Sequence, residues 1–159
     1  MPPQSAYLQT LGLETLSLRI SKSCENALFI ARSLEKNPKI KTVNYPGLET
    51  SEYYHLSRTQ FKNDSNEGFA SGGVISFELE NRDAAFEFIN QLKLIKRATN
   101  INDNKTLIIH PASTIFADFS SAKKKEMGVT DSLVRLSVGI EDASDLIVDI
   151  EQSLQHLEQ

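Results

Sequence analysis

The chain has 159 residues, of which 40% are hydrophobic and 24% are charged, with a formal net charge of -4. This length and balance predict one soluble globular domain and exclude a disordered chain. The negative net charge gives no overall attraction to nucleic acid, and the single basic run, Lys123-Lys124-Lys125, is typical of a solvated helix face. No apolar run reaches the roughly 18 residues that would span a membrane.

The single cysteine and the first residues bear on location. Cys24 has no second cysteine to pair with, which is typical of a cytoplasmic protein, and its helical context favours a packing role. The first ten residues lack a basic segment followed by an apolar core and do not resemble a signal peptide.

The first third of the chain predicts a long helix over residues 5–36. Apolar residues recur at three- and four-residue steps and form one face: Leu13, Leu16, Ile20, Cys24, Ala27, Leu28, Ala31 and Leu34. Leu18, Phe29 and Ile30 fall outside this face, which predicts contacts on more than one side of the helix. Gly12 is a candidate kink.

The rest of the chain predicts short strands alternating with helices. The strands are expected near residues 39–45, 73–80, 95–99, 106–109 and 133–138. The helices are expected from near Ser51, after the N-cap Asn81, over residues 120–128 with Gly128 as the stop, and after the N-cap Asp142. Residues 63–73 are polar and glycine-rich and predict a loop.

This order predicts an α/β fold, as an α+β two-layer sandwich. Its small sheet is expected to be mostly antiparallel, with helices packed on one face, and the long helix precedes it in the sequence. The helix after Asn81 is expected to bury Ala85, Phe88, Ile89 and Leu92. The last helix is expected to bury Ala143, Leu146, Ile147, Ile150, Leu154 and Leu157.

Arg135 is the candidate binding residue. Alternation along its predicted strand makes Val134, Leu136 and Val138 a core face and puts Arg135 on the opposite, mixed face. Arginine is well shaped for two-pronged binding of a carboxylate. Alternation alone, however, favours an exposed structural arginine.

Two other motifs predict no chemistry of their own. His110 precedes Pro111, and the remaining histidines, His55 and His156, form no metal-ligand spacing with it, so a structural role at a strand end is favoured. Gly72-Gly73 come before a strand, whereas a phosphate-binding loop needs glycines between a strand and a following helix.

Five stretches occur together and in a family's order: "GLETLSLRISKSCENAL", "VNYPGLETSEYYHL", "GGVISFEL", "NINDNKTLIIHPAS" and "LVRLSVGIEDASDLIVDIEQSL". They resemble the C-terminal part of the pyridoxal-phosphate (PLP) enzymes of cysteine and methionine metabolism. That family includes cystathionine γ-synthase, cystathionine lyases, methionine γ-lyase and O-acetylhomoserine sulfhydrylase. The resemblance covers nearly the whole chain and implies the C-terminal domain of a fold-type I PLP enzyme.

Within the family, the sequence is most similar to the O-acetylhomoserine sulfhydrylase branch, because Asn100 stands where the lyases tend to carry serine. That branch implies replacement of acetate by sulfide or a thiol, giving homocysteine or methionine. The alternatives are a fragment of cystathionine γ-synthase, a cystathionine lyase or methionine γ-lyase, or a non-catalytic α/β module when isolated. Two residues depart from the family pattern: Asn102 replaces a usual glycine, and Phe116 stands where many members have histidine.

The resemblance also implies roles for residues of this chain. Arg135 matches the arginine that binds the substrate α-carboxylate, and Asn100 matches a position that helps to orient it. Glu141 matches a support residue, and His110 a structural one.

The resemblance further implies how the chain is organised. Residues 1–21 would begin a long interdomain helix and residues 22–159 would form the small domain. The PLP-binding domain, with the Schiff-base lysine, would lie upstream and outside this chain. We therefore expect no catalytic, cofactor-binding or metal-binding residue here, no bound PLP and no activity for the chain alone. An amino-acid substrate, a cytoplasmic homotetramer and exposed apolar side chains along residues 5–36 are also expected.

Overall fold

The computed structural model describes residues 1–61 and 70–157. Within these ranges the helices are α1 (Pro3–Glu14), α2 (Leu16–Glu35), α3 (Tyr54–Gln60), α4 (Arg82–Gln91), α5 (Ser121–Glu126) and α6 (Ala143–Gln155). The strands are β1 (Thr42–Asn44), β2 (Val74–Glu78), β3 (Lys96–Arg97), β4 (Leu107–Ile109) and β5 (Leu133–Ser137). Most of the loop predicted over residues 63–73 lies outside the described residues.

The five strands form one sheet in the order β1-β2-β5-β4-β3. Every neighbouring pair is antiparallel except β3 and β4, which are parallel. The predicted mostly antiparallel sheet is therefore confirmed. Strand β5 lies at the centre of this order, so a residue in it has a neighbouring strand on each side.

The core lies between one face of the sheet and the helices α2, α4 and α6. Alternate residues of β2 and β5 are buried on this face: Ile75, Phe77, Val134 and Leu136. The helices contribute buried side chains to the same cluster: Ala27, Ile30, Ala31, Leu34, Ala85, Phe88, Ile89, Leu146, Ile150 and Leu154. This packing confirms the two-layer sandwich, and it leaves Arg135 on the sheet face that these helices do not cover.

The long helix predicted over residues 5–36 is divided at Thr15, and not at Gly12. Thr15 has φ -108° and ψ 7°, outside the helical region. Arg19 lies across the break, donating from Nη2 to Gly12 O at 2.5 Å and from Nε to Thr15 Oγ1 at 3.3 Å. The arginine thereby satisfies a carbonyl at the end of α1.

The predicted apolar face of this segment is correct only for its second half. Leu13, Leu16 and Ile20 were expected on the buried face but are 66%, 40% and 42% exposed. Ile30 was expected outside the face but is completely buried. The physical reason is that α2 packs on α6, β1 and β2 through its later turns, whereas α1 buries no residue.

The predicted helix caps are confirmed. Asn81 Oδ1 accepts a hydrogen bond from Ala84 N at 2.9 Å, and Asp142 Oδ1 accepts one from Ser144 N at 2.8 Å. Gly128 follows α5 with φ 69°, where a side chain would be strained.

The Asp142 cap predicts a pH-dependent contribution to stability. The backbone N–H of Ser144 stabilises the charged carboxylate and lowers the pKa of Asp142. Such a group adds stability above its unfolded pKa and loses it as the pH falls through the lower folded value. We therefore expect Asp142→Ala to reduce the free energy of unfolding more at pH 7 than at pH 3, as measured by urea denaturation. Equal losses at both pH values would contradict this role.

Candidate functional site

The candidate site is centred on Arg135, in the middle of β5. Ser76 on β2 and Ile109 on β4 are its partners in the neighbouring strands. The side chain is half-buried on the face of the sheet opposite to the helices. Sheet register thus fixes the position of the Arg135 Cα in the sheet, and the loop after β3 contributes the groups that surround its guanidinium.

The guanidinium group is only partly paired. Arg135 Nη2 donates to Thr99 O at 3.1 Å and to Asn100 O at 3.4 Å. Its Nε is buried without a hydrogen-bond partner, the only such side-chain nitrogen or oxygen in residues 1–61 and 70–157. A buried donor without a partner costs about 1–3 kcal/mol, so an acceptor that reached this atom would stabilise the protein.

The charge of Arg135 has no counter-ion among the described residues, in which the one ion pair joins Lys123 to Glu126. Burial lowers the pKa of the Arg135 guanidinium from its ordinary value. Because that ordinary value is so far above neutrality, the group stays positive at pH 7. A partly desolvated guanidinium that has no counter-ion among the described residues is suited to bind a carboxylate by a charge-assisted hydrogen bond.

Asn100 lies beside Arg135. Its backbone carbonyl accepts from Arg135 Nη2, and its side chain is exposed. The structure therefore brings together both residues that were predicted to bind substrate. Their contact runs through the Asn100 backbone.

Asn102 has a backbone conformation of the kind that glycine adopts readily. It has φ 57°, the only positive value among the described non-glycine residues. This left-handed region favours glycine and tolerates asparagine better than most other residues. In this conformation Asn102 N donates to Ser137 Oγ at 2.9 Å, which ties the loop to β5 two residues beyond Arg135.

We expect Asn102→Ala to lower the free energy of unfolding by about 1 kcal/mol, because alanine resists the left-handed conformation. Asn102→Gly is the matched control, which keeps the conformation accessible and should change stability by less than about 0.5 kcal/mol. Urea denaturation measures both values. Equal destabilisation by the two substitutions would show that the Asn102 side chain, and not its backbone conformation, matters.

A second connection joins the same loop to the segment after β5. Glu141 Oε1 accepts from Thr106 N at 2.7 Å, and Glu141 Oε2 accepts from Thr106 Oγ1 at 2.8 Å. Thr106 Oγ1 in turn accepts from Gly139 N at 2.9 Å. The Glu141 carboxylate is thus occupied by structural bonds, in agreement with the predicted support role.

Helix α2 holds the segment after β5 from the other side. Ser23 Oγ donates to Val138 O at 2.6 Å, and Asn26 Nδ2 donates to Gly139 O and Glu141 O at 3.1 and 2.7 Å. Sequence reasoning missed these two polar residues. Their position between buried apolar residues of the α2 stripe was the available signal.

His110 has a structural role, as predicted. It is buried, and its Nδ1 and Nε2 lie 2.8 Å from Ser113 Oγ and 2.8 Å from Asp131 O. Because a carbonyl can only accept, Nε2 carries the proton and Nδ1 accepts from the serine in the neutral ring. Both nitrogens are therefore used within the fold.

Residues 1–61 and 70–157 contain no group of three or more histidine, cysteine, aspartate or glutamate side chains that could hold a metal ion. None of the helices in these ranges is both long and apolar enough to cross a membrane.

The sheet and its helices form a two-layer α/β domain with a partly paired arginine on the open face of the sheet. Comparison with known proteins identifies the family of this domain. The family model of the Cys/Met metabolism PLP-dependent enzymes matches residues 1–155, and the chain belongs to this family.

Relatives carry two activities. The chain is 40% identical to an L-methionine gamma-lyase of Fusobacterium nucleatum over 156 residues, which cover 98% of this chain and 38% of that protein. It is 42% identical to the structure of an O-acetylhomoserine sulfhydrylase of Wolinella succinogenes, with a TM-score of 0.82 over 97% of this chain and 39% of that one.

A second similar structure is described with a lysine adduct of the cofactor. An O-acetylhomoserine (thiol)-lyase of Campylobacter jejuni, described with a pyridoxyl-lysine phosphate, is 40% identical with a TM-score of 0.87. The match covers 96% of this chain and 35% of that one. The chain therefore spans between a third and two fifths of the length of these three relatives.

Proposed function

We propose that this chain supplies the substrate-carboxylate wall of a PLP-dependent active site. The proposed reaction is that of an O-acetylhomoserine sulfhydrylase, in which sulfide or a thiol replaces acetate to give homocysteine or methionine. The observation that carries the proposal is the buried Nε of Arg135 without a partner. Similarity to the sulfhydrylase of Wolinella succinogenes, at 42% identity, supports the choice of reaction.

The residues of this chain fit the substrate that a PLP enzyme binds. An amino acid carries an α-carboxylate, and the free donors of the Arg135 guanidinium match its two oxygens. The Nη2 bonds to Thr99 O and Asn100 O fix the plane of the guanidinium group. We assign no described residue to direct contact with PLP, whose chemistry when bound is that of an electron sink.

Arg135 and Asn100 then act by orientation. A carboxylate held at Arg135 fixes one substituent of the substrate Cα, which limits the rotation of the Cα–H bond that must be broken. Correct placement of reacting groups contributes much of the rate in enzymes of every class. Asn100 contributes by holding Arg135 through its carbonyl, and its exposed side chain is available at the same wall.

A methionine γ-lyase is the second candidate, because an enzyme of that name from Fusobacterium nucleatum is 40% identical. The two candidates differ in the substrate that is consumed. Both would place the same carboxylate at Arg135, so the arginine does not discriminate between them. Asn100 favours the sulfhydrylase on family resemblance.

The test is a paired assay of the PLP-loaded protein that contains this chain. We expect homocysteine to form from O-acetylhomoserine and sulfide, with little thiol released from methionine alone. Thiol release from methionine as the main reaction would support the lyase. Failure of both reactions would contradict the proposed function.

We also propose the domain organisation and assembly that the family implies. Residues 1–21 begin an interdomain helix and residues 22–159 form the small domain, which is supported by burial on α2 starting only at Ser23.

Assembly as a cytoplasmic homo-oligomer, a tetramer, is supported by the exposed apolar side chains Tyr7, Leu8, Leu11 and Leu13. Sedimentation equilibrium tests this, and a monomer would contradict it.

A further inference from the structure

The loop over residues 99–106 links Arg135 to a cluster of polar groups that lies outside the proposed binding wall. At its start, the carbonyls of Thr99 and Asn100 hold Arg135 Nη2. In its middle, Asn102 N is bonded to Ser137 Oγ. At its end, the loop meets the Glu141 carboxylate through Thr106.

Both oxygens of the Glu141 carboxylate are engaged by Thr106. Each of its two oxygens accepts a short hydrogen bond from Thr106, at 2.7 and 2.8 Å. Thr106 is completely buried, and its hydroxyl also accepts from Gly139 N. The hydroxyl therefore has one fixed orientation, in which Thr106 Oγ1 donates to Glu141 Oε2 and accepts from Gly139 N.

The surrounding backbone is shaped to fit this arrangement. Ile140 N donates to Asn104 O at 3.0 Å, alongside the bonds of Glu141. Gly139 packs so closely that a Cβ there would clash with Asn104 O and with the Glu141 carboxylate. Because backbone atoms surround the site, the end of the loop has little freedom to move while Glu141 is in place.

We infer that Glu141 is a positioning residue for substrate carboxylate binding, acting through Thr106 and the loop over residues 99–106 on Arg135. Glu141 fixes the end of the loop, the loop fixes the Thr99 and Asn100 carbonyls, and these keep Arg135 Nη2 engaged while Nε remains free for the ligand. This inference rests on the proposed function, since it assigns a purpose to the geometry of Arg135.

The test uses the PLP-loaded protein that contains this chain, labelled with ¹⁵N-arginine, in which the Nε–H resonance of Arg135 reports its surroundings. O-acetylhomoserine is titrated into wild type, Glu141→Gln, Thr106→Val and Thr106→Ser. Glutamine offers one acceptor and turns its NH₂ towards the other donor, and valine removes the hydroxyl, whereas serine retains it. We expect about tenfold weaker binding for Glu141→Gln and Thr106→Val, and binding close to wild type for Thr106→Ser.

A stability control separates positioning from simple destabilisation. Asn81→Ala removes one cap bond of α4 without touching the loop, and should lower the melting temperature while leaving carboxylate binding unchanged. If the wild type binds O-acetylhomoserine and Glu141→Gln binds equally well, the inference is overturned and the proposed function stands. If the Arg135 resonance of the wild type does not respond at all, the proposed function fails, and the inference fails with it.

Discussion

Arg135→Ala is expected to raise the KM for the amino-acid substrate by roughly 30-fold or more, equivalent to about 2 kcal/mol of binding free energy, with a smaller change in kcat. The reason is that the substitution removes the one described positive charge whose buried Nε lacks an acceptor. Steady-state kinetics of the PLP-loaded protein that contains this chain measure both constants. An unchanged KM would overturn the role assigned to Arg135.

Two further variants sharpen this expectation. Arg135→Lys keeps the charge but loses the planar pair of donors, so its KM should lie between those of wild type and Arg135→Ala. Arg97→Ala is the matched control, since Arg97 is an exposed arginine on β3 whose Nη1 donates to Asn90 Oδ1. Its KM should equal that of wild type.

Asp149→Ala is expected to cause the largest loss of stability, about 3 kcal/mol. Asp149 is buried on α6, and its two carboxylate oxygens accept from the consecutive backbone N–H groups of residues 93–95 at 2.8–2.9 Å. Alanine would leave these donors without partners, and hydrogen bonds to a charged group contribute about 1.5–3 kcal/mol each. The loss is smaller than the sum because water reaches the turn once it relaxes.

Urea denaturation of Asp149→Ala gives the measurement, with Glu151→Ala as the control. Glu151 is an exposed carboxylate on the same helix, and its removal should change stability by less than about 0.5 kcal/mol. Comparable losses for the two variants would show that Asp149 does not hold the turn between α4 and β3.

Much of the fold could be predicted because its elements have local signals. Alternation identified β2 and β5, and burial of Ile75, Phe77, Val134 and Leu136 confirms their core face. Asn81 and Asp142 signalled the starts of α4 and α6, since a cap bonds to backbone groups two or three residues away. These features depend on neighbours in sequence, which a single sequence contains.

Features that depend on distant neighbours were missed. Asp149 reads as an ordinary polar residue of an amphipathic helix, and only the tertiary fold brings the turn at residues 93–95 to it. Asn26 likewise bonds to residues more than a hundred positions away. The break at Thr15 was also unsignalled, because the helical pattern continues through it and the bridging bonds of Arg19 are a matter of side-chain placement.

The candidate site depends on both kinds of feature: a local strand pattern and a contact with a loop that is distant in sequence. Periodicity placed Arg135 on the correct face of β5 but favoured an exposed charge. The structure shows that its Nε is buried and that its Nη2 is bonded to the loop carrying Thr99 and Asn100. Alternation along a strand carries no information about a loop that follows a different strand. The family resemblance implied roles for Arg135 and Asn100 at one carboxylate, and the structure places Asn100 O 3.4 Å from Arg135 Nη2.

The most direct test of the account is the coupling between Arg135 and the substrate carboxylate. Binding of O-acetylhomoserine and of its α-carboxamide is compared in wild type and Arg135→Ala, in the PLP-loaded protein that contains this chain. If Arg135 binds the carboxylate, the carboxamide should bind roughly 30-fold more weakly than the acid to wild type and about equally to Arg135→Ala. The same preference for the acid in both proteins would contradict the assignment of Arg135.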